Sequence, residues 1–246
     1  MEHYVRLENI AKYVKEKRRV TTLELATEFN VSNQTIRKDL QELENEKRIK
    51  RVHGGAVYNS TFRDRLDINV DNKKKLCQKA ATYIANGDYI YIDGGTSYFY
   101  LMDFVPKEYR VTVVTSSIPI AERIKYSSNH DVYLLGGLIN STTMETYSAN
   151  ILKEVSSMMF NKSFMGVTGF VEDVGFTEEN VYSLGVKELV KNNTTTNIVI
   201  AGKEKEGIVS FRKSFEFKDI DIFITNSNIS ESILRSISHD LEVDMV

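Results

Sequence analysis

Apolar positions in the first quarter of the chain recur at helical spacing and then switch to alternation. Leu7, Ile10, Ala11 and Val14 fall at i, i+3, i+4 and i+7 and predict a first helix with one buried face. Leu25, Ala26 and Phe29 form the apolar side of a second helix, which Thr21 or Thr22 can cap. After the break at Asn30-Val31-Ser32, a third helix opens on Ser32 as its cap, with Ile36, Leu40 and Leu43 on one stripe. Gln34, Thr35, Arg37, Lys38 and Gln41 are left on its other sides. Ile49 and Val52 then alternate with Arg48, Lys50 and Arg51, which predicts a short basic strand ending in the turn His53-Gly54-Gly55.

From residue 76 the pattern changes to short apolar runs separated by helical stretches. Strands are expected over 89–92, 111–114, 132–135, 163–167, 198–201 and 220–225. Helices are expected around Ala80, Ala81 and Ile84, through Phe99, Leu101 and Phe104, through Ile120 and Ile124, over 179–191, and through Ile229, Ile233 and Ile237. Such alternation means βαβ units, hence a mostly parallel sheet with helices on both faces. Residues 58–75 are polar and read as a linker whose Lys73-Lys74-Lys75 run is the solvated start of the next helix. The expected division is therefore 1–57, a linker over 58–75, and an α/β domain over 76–246. No fixed-period repeat and no low-complexity segment interrupts it.

The first half carries the pattern of DNA recognition. A short turn between two helices followed by a polar-faced helix and a basic ribbon reads as a winged helix-turn-helix. The polar side chains of the third helix have the length and hydrogen-bonding capacity to reach base edges and phosphates. Candidate DNA contacts are Arg19, Thr22, Ser32, Gln34, Thr35, Arg37, Lys38, Arg51 and His53. Charge agrees with this division: residues 1–60 hold 12 Lys+Arg against 9 Asp+Glu, a net +3, while the rest hold 20 against 25, a net −5. A plain three-helix bundle with a solvated charged face is the competing reading.

In the second half the chemistry gathers where strands end. Asp93-Gly94-Gly95-Thr96-Ser97 closes one strand with glycines that allow a tight turn and expose backbone N–H groups to an anion. Thr115-Ser116-Ser117 repeats the arrangement with hydroxyls, and further strands end at Gly136-Gly137 and Thr168-Gly169. Open α/β sheets bind ligands in the crevice beyond the carboxyl ends of their strands. Cys77 is the sole cysteine, which excludes an intramolecular disulfide and a thiolate metal site. Four scattered histidines predict no metal centre, and nothing points to a cofactor. With no signal peptide and no run near the ~20 apolar residues of a membrane span, a cytoplasmic protein without a membrane partner is expected.

The stretch LATEFNVSNQTIRKDLQELENEKRIKRVHGGA resembles the winged helix-turn-helix signature of the DeoR family of bacterial transcriptional regulators. Its one small departure is Lys38, where the family more often has a second Arg beside Arg37. Lysine keeps a phosphate contact but loses the planar bidentate fork. DGGTS, TSS, LLGG, GVTGF and GFTEENVYSLGVK are similar, in that order, to the family's effector-binding domain, so the resemblance covers nearly the whole chain. It implies an α/β domain resembling sugar-phosphate isomerases of the ribose-5-phosphate type. It further implies a sugar-phosphate pocket made by Asp93, Gly94, Gly95, Thr96, Ser97, Thr115, Ser116, Gly136, Gly137, Gly166, Gly169 and Lys187. Lys205 stands where the family's Asp-Ser-Ser-Lys segment has its lysine, although the aspartate has become Gly202. The run LINSTTMETYSA after Gly136-Gly137 also lacks an arginine and a later glycine often found there, so effector chemistry can differ from that of relatives.

Three functions follow as expectations. The first is a ligand-controlled DNA-binding regulator, a repressor of a carbohydrate operon, with double-stranded operator DNA and a phosphorylated sugar as partners and no catalysis. It would work as a homodimer or homotetramer on repeated half-sites. A second is an enzyme acting on a sugar phosphate, against which stands the absence of a carboxylate in Gly166-Val167-Thr168-Gly169-Phe170. A third is a DNA-binding protein whose α/β part only oligomerises.

Overall fold

The computed structural model describes residues 3–17, 19–52, 54–127, 130–237 and 241–246. The chain divides into two compact units, residues 1–61 and 62–246.

In the first unit, helices α1 (His3–Lys17), α2 (Thr22–Glu28) and α3 (Asn33–Asn45) pack on a three-stranded antiparallel sheet of β1 (Arg19–Thr21), β2 (Ile49–Val52) and β3 (Gly55–Tyr58), in the order β1-β3-β2. The predicted apolar stripes are its core: Leu7, Ile10, Val14, Leu25, Ile36, Leu40, Leu43 and Ile49 are all buried. Both expected caps form. Thr21 closes a capping box with Glu24, and Ser32 Oγ accepts from Thr35 N at 3.1 Å. Gly55 has a steric reason to be glycine, since a Cβ there would overlap the backbone of Val20 in β1. One feature is unexpected from the hydrophobic pattern. Asp39 in α3 is buried and held bidentately by Arg6 of α1, at 2.7 and 3.1 Å, so an ion pair joins the apolar contacts between these helices.

The second unit is built on a seven-stranded, wholly parallel sheet. Its strands are β4 (Tyr89–Ile92), β5 (Thr112–Thr115), β6 (Asp131–Leu134), β9 (Phe160–Met165), β12 (Thr194–Ile200), β14 (Ile222–Thr225) and β15 (Glu242–Met245), in the order β15-β14-β12-β9-β4-β5-β6. Alternate residues of the five inner strands feed two separate cores. Ile90, Ile92, Val113, Phe164, Ile198 and Ile224 face one side with α5 (Val70–Ala81) and α6 (Ile118–Ser127). Tyr91, Val114, Met165, Val199 and Phe223 face the other with α7 (Ala149–Val155), α8 (Val181–Asn192) and α9 (Glu231–Ser236). Burial on both faces is why these strands read as unbroken apolar runs.

Three departures bear on the site. The helix expected through Phe99 and Phe104 is two 3-10 turns, Thr96–Tyr98 and Leu101–Phe104. The buried residues Tyr98, Leu101 and Met102 include a three-residue spacing, which suits the tighter helix. The expected linker is folded: it holds α4 (Phe62–Leu66) and the first two turns of α5, and Phe62 is buried edge-on against Phe99. Lys73 is buried rather than solvated, its ammonium donating to the carbonyls of Arg65 and Leu66. The third is structure the sequence reading did not anticipate: a hairpin of β7 (Leu138–Asn140) and β8 (Glu145–Tyr147), and an antiparallel sheet of β10 (Gly169–Val171), β11 (Gly175–Glu178) and β13 (Arg212–Phe215) in the order β10-β11-β13.

Candidate functional site

The proposed DNA face is built on α3 and the β2–β3 wing. With Ile36, Leu40 and Leu43 buried, Gln34, Arg37 and Lys38 are necessarily on the solvent side and are exposed, with Thr35 partly so. Arg19 and Arg51 are also exposed, on β1 and β2. Arg51 is oriented by its neighbours: its guanidinium meets the Gln41 side-chain oxygen and its N–H donates to Glu44 Oε1 at 2.8 Å. Two candidates have structural duties. Ser32 caps α3, and the Thr22 hydroxyl donates to Gly54 O at 3.1 Å, tying α2 to the wing. His53 lies outside the described residues.

A parallel sheet sends all its carboxyl ends to one edge, so the loops after β4, β5, β9 and β12 meet there. The centre is Lys187 of α8, only 3% exposed. Its ammonium donates to Glu178 Oε2 at 2.6 Å, Gly166 O at 2.7 Å and Asp93 Oδ2 at 3.0 Å, which uses all three of its donors. Asp93 Oδ2 also accepts from Gly166 N at 2.9 Å, locking the loop after β4 to the loop after β9. Glu178 Oε1 accepts from Thr168 Oγ1 and the N–H groups of Glu179 and Asn180, at 2.8 to 2.9 Å, at the mouth of α8. Burial opposes the Lys187 charge, yet Asp93 and Glu178 outweigh it and hold its pKa above the ordinary lysine value. Burial likewise would raise the Glu178 carboxyl, but Lys187 and the hydrogen bonds lower it. The Lys205 ammonium donates to Val167 O at 2.8 Å, and burial lowers its pKa.

Glu145, at the start of β8, completes the cluster. A Cβ built on Gly94 would overlap its carboxylate, so this acid sits directly against the glycine loop. Burial first, and Asp93 second, push its pKa up to about 7. Arg65 of α4 lies in the field of Glu145 and Glu179.

The structure thus brings together Asp93, Gly94, Gly166 and Lys187, with Gly95, Thr96 and Ser97 on the same loop and Lys205 alongside. It gives other candidates packing roles. Thr115 is fully buried and its hydroxyl accepts from Ser117 N at 3.1 Å. Ser116 is buried, and its carbonyl receives Thr146 N at 2.9 Å from β8. Gly137 has φ +147° where β6 turns into the hairpin, beside an exposed Gly136, and Gly169 passes against the backbone of Ile208. Glu178 and Glu145 escaped the sequence reading. Glu178 was hidden inside the GFTEENVYSLGVK motif and Glu145 inside the divergent LINSTTMETYSA run. Carboxylates thus reach this edge from β11 and β8, while the 166–170 loop itself carries none. Among the described residues, no group of three or more His, Cys, Asp or Glu could hold a metal ion, and no helix is long and apolar enough to cross a membrane.

Comparisons with known proteins match both parts of the chain. Residues 6–62 match the DeoR-like helix-turn-helix domain and residues 68–227 the DeoR C terminal sensor domain. The chain is 30% identical to the HTH-type transcriptional regulator GolR of Listeria innocua serovar 6a, over 94% of each chain. It is 24% identical to the glycerol-3-phosphate regulon repressor of Escherichia coli K12 over the full length of both. Among solved structures, ribose 5-phosphate isomerase A from Neisseria gonorrhoeae overlaps it with a TM-score of 0.41 and 15% identity, covering 56% of this chain and 54% of that one. With both of its domains matched, the chain belongs to the DeoR family of DNA-binding transcriptional regulators.

Proposed function

We propose that this regulator is a repressor of a carbohydrate operon. It binds operator DNA through α3 and the wing, and a phosphorylated sugar at the strand ends of the second unit sets its operator affinity. The observation that carries the ligand reading is the meeting of the 93–97 loop with Lys187, Lys205 and Gly166 on one sheet edge. Glycine-loop amides and hydroxyls, partly open at Gly95 and Thr96, suit a phosphate with Lys205 and Arg65 as cations, while Asp93 and Glu178 hold Lys187 in place. Lys187 then orders the crevice rather than neutralising the ligand directly, because its own donors are already used. The name of the glycerol-3-phosphate regulon repressor is consistent with such an effector.

No catalysis is part of this reading. An isomerase needs a base with freedom to exchange a proton with substrate, and Asp93 and Glu178 are committed to Lys187 and backbone amides. Glu145 is the group that would have to serve, so incubation with sugar phosphates and analysis for isomerised product tests the enzyme reading directly. For the regulator reading, a thermal-shift panel of sugar phosphates followed by operator titration with each hit is decisive. A ligand that binds the native state raises its midpoint, and an effector changes operator affinity. If no sugar phosphate at millimolar concentration does either, the reading fails. A homodimer or homotetramer on repeated half-sites is the proposed assembly, to be checked by sedimentation with operator.

A further inference from the structure

Glu145 has its backbone held by main-chain bonds. It opens β8, and the hairpin is fastened to the turn after β5 by Thr146 N to Ser116 O at 2.9 Å and Ile118 N to Met144 O at 3.1 Å. Those bonds set its backbone beside the 93–97 loop, and its carboxylate lies against Gly94, in the space that a side chain at that position would otherwise claim. This is the same loop whose amides and hydroxyls are suited to an anion.

The turn of the hairpin has a second attachment. Thr142 O, in the β7–β8 turn, accepts from Phe62 N at 2.7 Å. Phe62 begins α4, one residue after the DNA-binding unit ends. Its ring packs on Phe99, just beyond the 93–97 loop, with centroids 5.8 Å apart. Lys73 holds the carbonyls at the other end of α4.

We propose that the Glu145 carboxylate is a built-in competitor for the anion position on the 93–97 loop, and that an effector's phosphate binds by displacing it and so shifts the hairpin to which α4 is tied. The inference rests on the reading of this crevice as the effector site. The groups facing Glu145 are Asp93 at the end of β4, Glu178 at the end of β11, Lys187 on α8, Arg65 on α4, and Thr143 in the hairpin itself. With Asp93 and Glu178 committed to Lys187, an ionised Glu145 adds a further like charge against an incoming dianion. Protonated, it only has to move. Effector binding is therefore coupled to proton uptake near neutral pH, where this acid titrates.

Sulfate is the probe, because it remains a dianion between pH 6 and 8 whereas phosphate itself titrates there. If the anion binds only when Glu145 is protonated, the fraction of competent protein falls about tenfold from pH 6 to pH 8 for a group titrating near 7, and apparent affinity falls with it. Calorimetry on the full chain should show that loss for the wild type. Glu145→Gln, of the same shape without the charge, should bind sulfate about tenfold more tightly than wild type at pH 8 and lose most of the pH dependence. Glu145→Ala provides the same reading should the amide disturb packing. Operator binding of Glu145→Gln should respond to any sugar phosphate found active at a lower concentration than wild type requires. Equal affinity and equal pH dependence of wild type and both variants overturn the proposal while leaving the effector site intact. If neither sulfate nor any sugar phosphate binds wild type or variants, the effector reading falls and the proposal with it.

Discussion

Replacing Lys187 by alanine removes the cation between Asp93 and Glu178 and leaves two carboxylates buried without it. Breaking a buried pair in this way costs about 3–5 kcal/mol, so the melting midpoint of the second unit should fall well below that of wild type, and operator response to effector should be lost with it. A loss of under about 1 kcal/mol would show that the network is not the keystone its geometry suggests. The two acids have opposite pH signatures. Glu178 is lowered in the folded state, so its contribution is present above the unfolded carboxyl value and lost as pH falls through the folded one. Glu145 is raised to about 7, so the folded protein binds the extra proton between roughly pH 4.5 and 7 and stability declines as pH rises through that window. Chemical denaturation at pH 5 and pH 8 should show a decline on the order of 2 kcal/mol for wild type and a flatter profile for Glu145→Gln. Much of this site was hidden from the sequence. Glycine loops are visible because turns demand glycine, whereas Glu145 and Glu178 sit far along the chain on strands too short to announce themselves, and only the fold brings them to Asp93 and Lys187.

At the scale of single elements, α3 and the wing divide recognition between them. Arg37→Ala should weaken specific operator binding by about 1–3 kcal/mol while sparing random DNA, if Arg37 reads a base. Arg51→Ala should weaken all sequences alike and reduce the slope of log affinity against log salt by about one. Fluorescence anisotropy at several salt concentrations separates the two, and identical behaviour of wild type and Arg37→Ala would remove α3 as the reading helix. Elements with strong periodicity were legible: α1, α2, α3 and the apolar strands β4, β5, β9, β12 and β14 all lie where residue spacing puts them, within a few positions. Those missed share a physical reason. The β7–β8 hairpin is largely polar, the β10-β11-β13 strands are three or four residues long, and the aromatic stretch after Gly95 packs at a 3-10 spacing that a helical template misreads. The linker was misjudged for a related cause. Its polarity is real, but Phe62 and Lys73 find partners that only tertiary structure provides.

For the whole molecule, the boundary between its units fixes where it can be cut. A fragment beginning at Phe62 should fold and show a cooperative melt without binding DNA. One beginning at residue 76 loses Phe62 from its contact with Phe99 and Lys73 from beneath α4, and should be markedly less stable by circular dichroism. Equal melting of the two fragments would return the first domain boundary to residue 76. The strand order has a further consequence, in time rather than space. Central strand β4 lies between β5 and β9, and β9 begins some seventy residues later in the chain. During synthesis the sheet therefore cannot close its middle until two-thirds of the protein has been made, and pairings across such separations are slow. The winged helix has no such wait, since its core closes within the first 61 residues. On the ribosome the DNA-binding domain is thus finished well before the sensor domain.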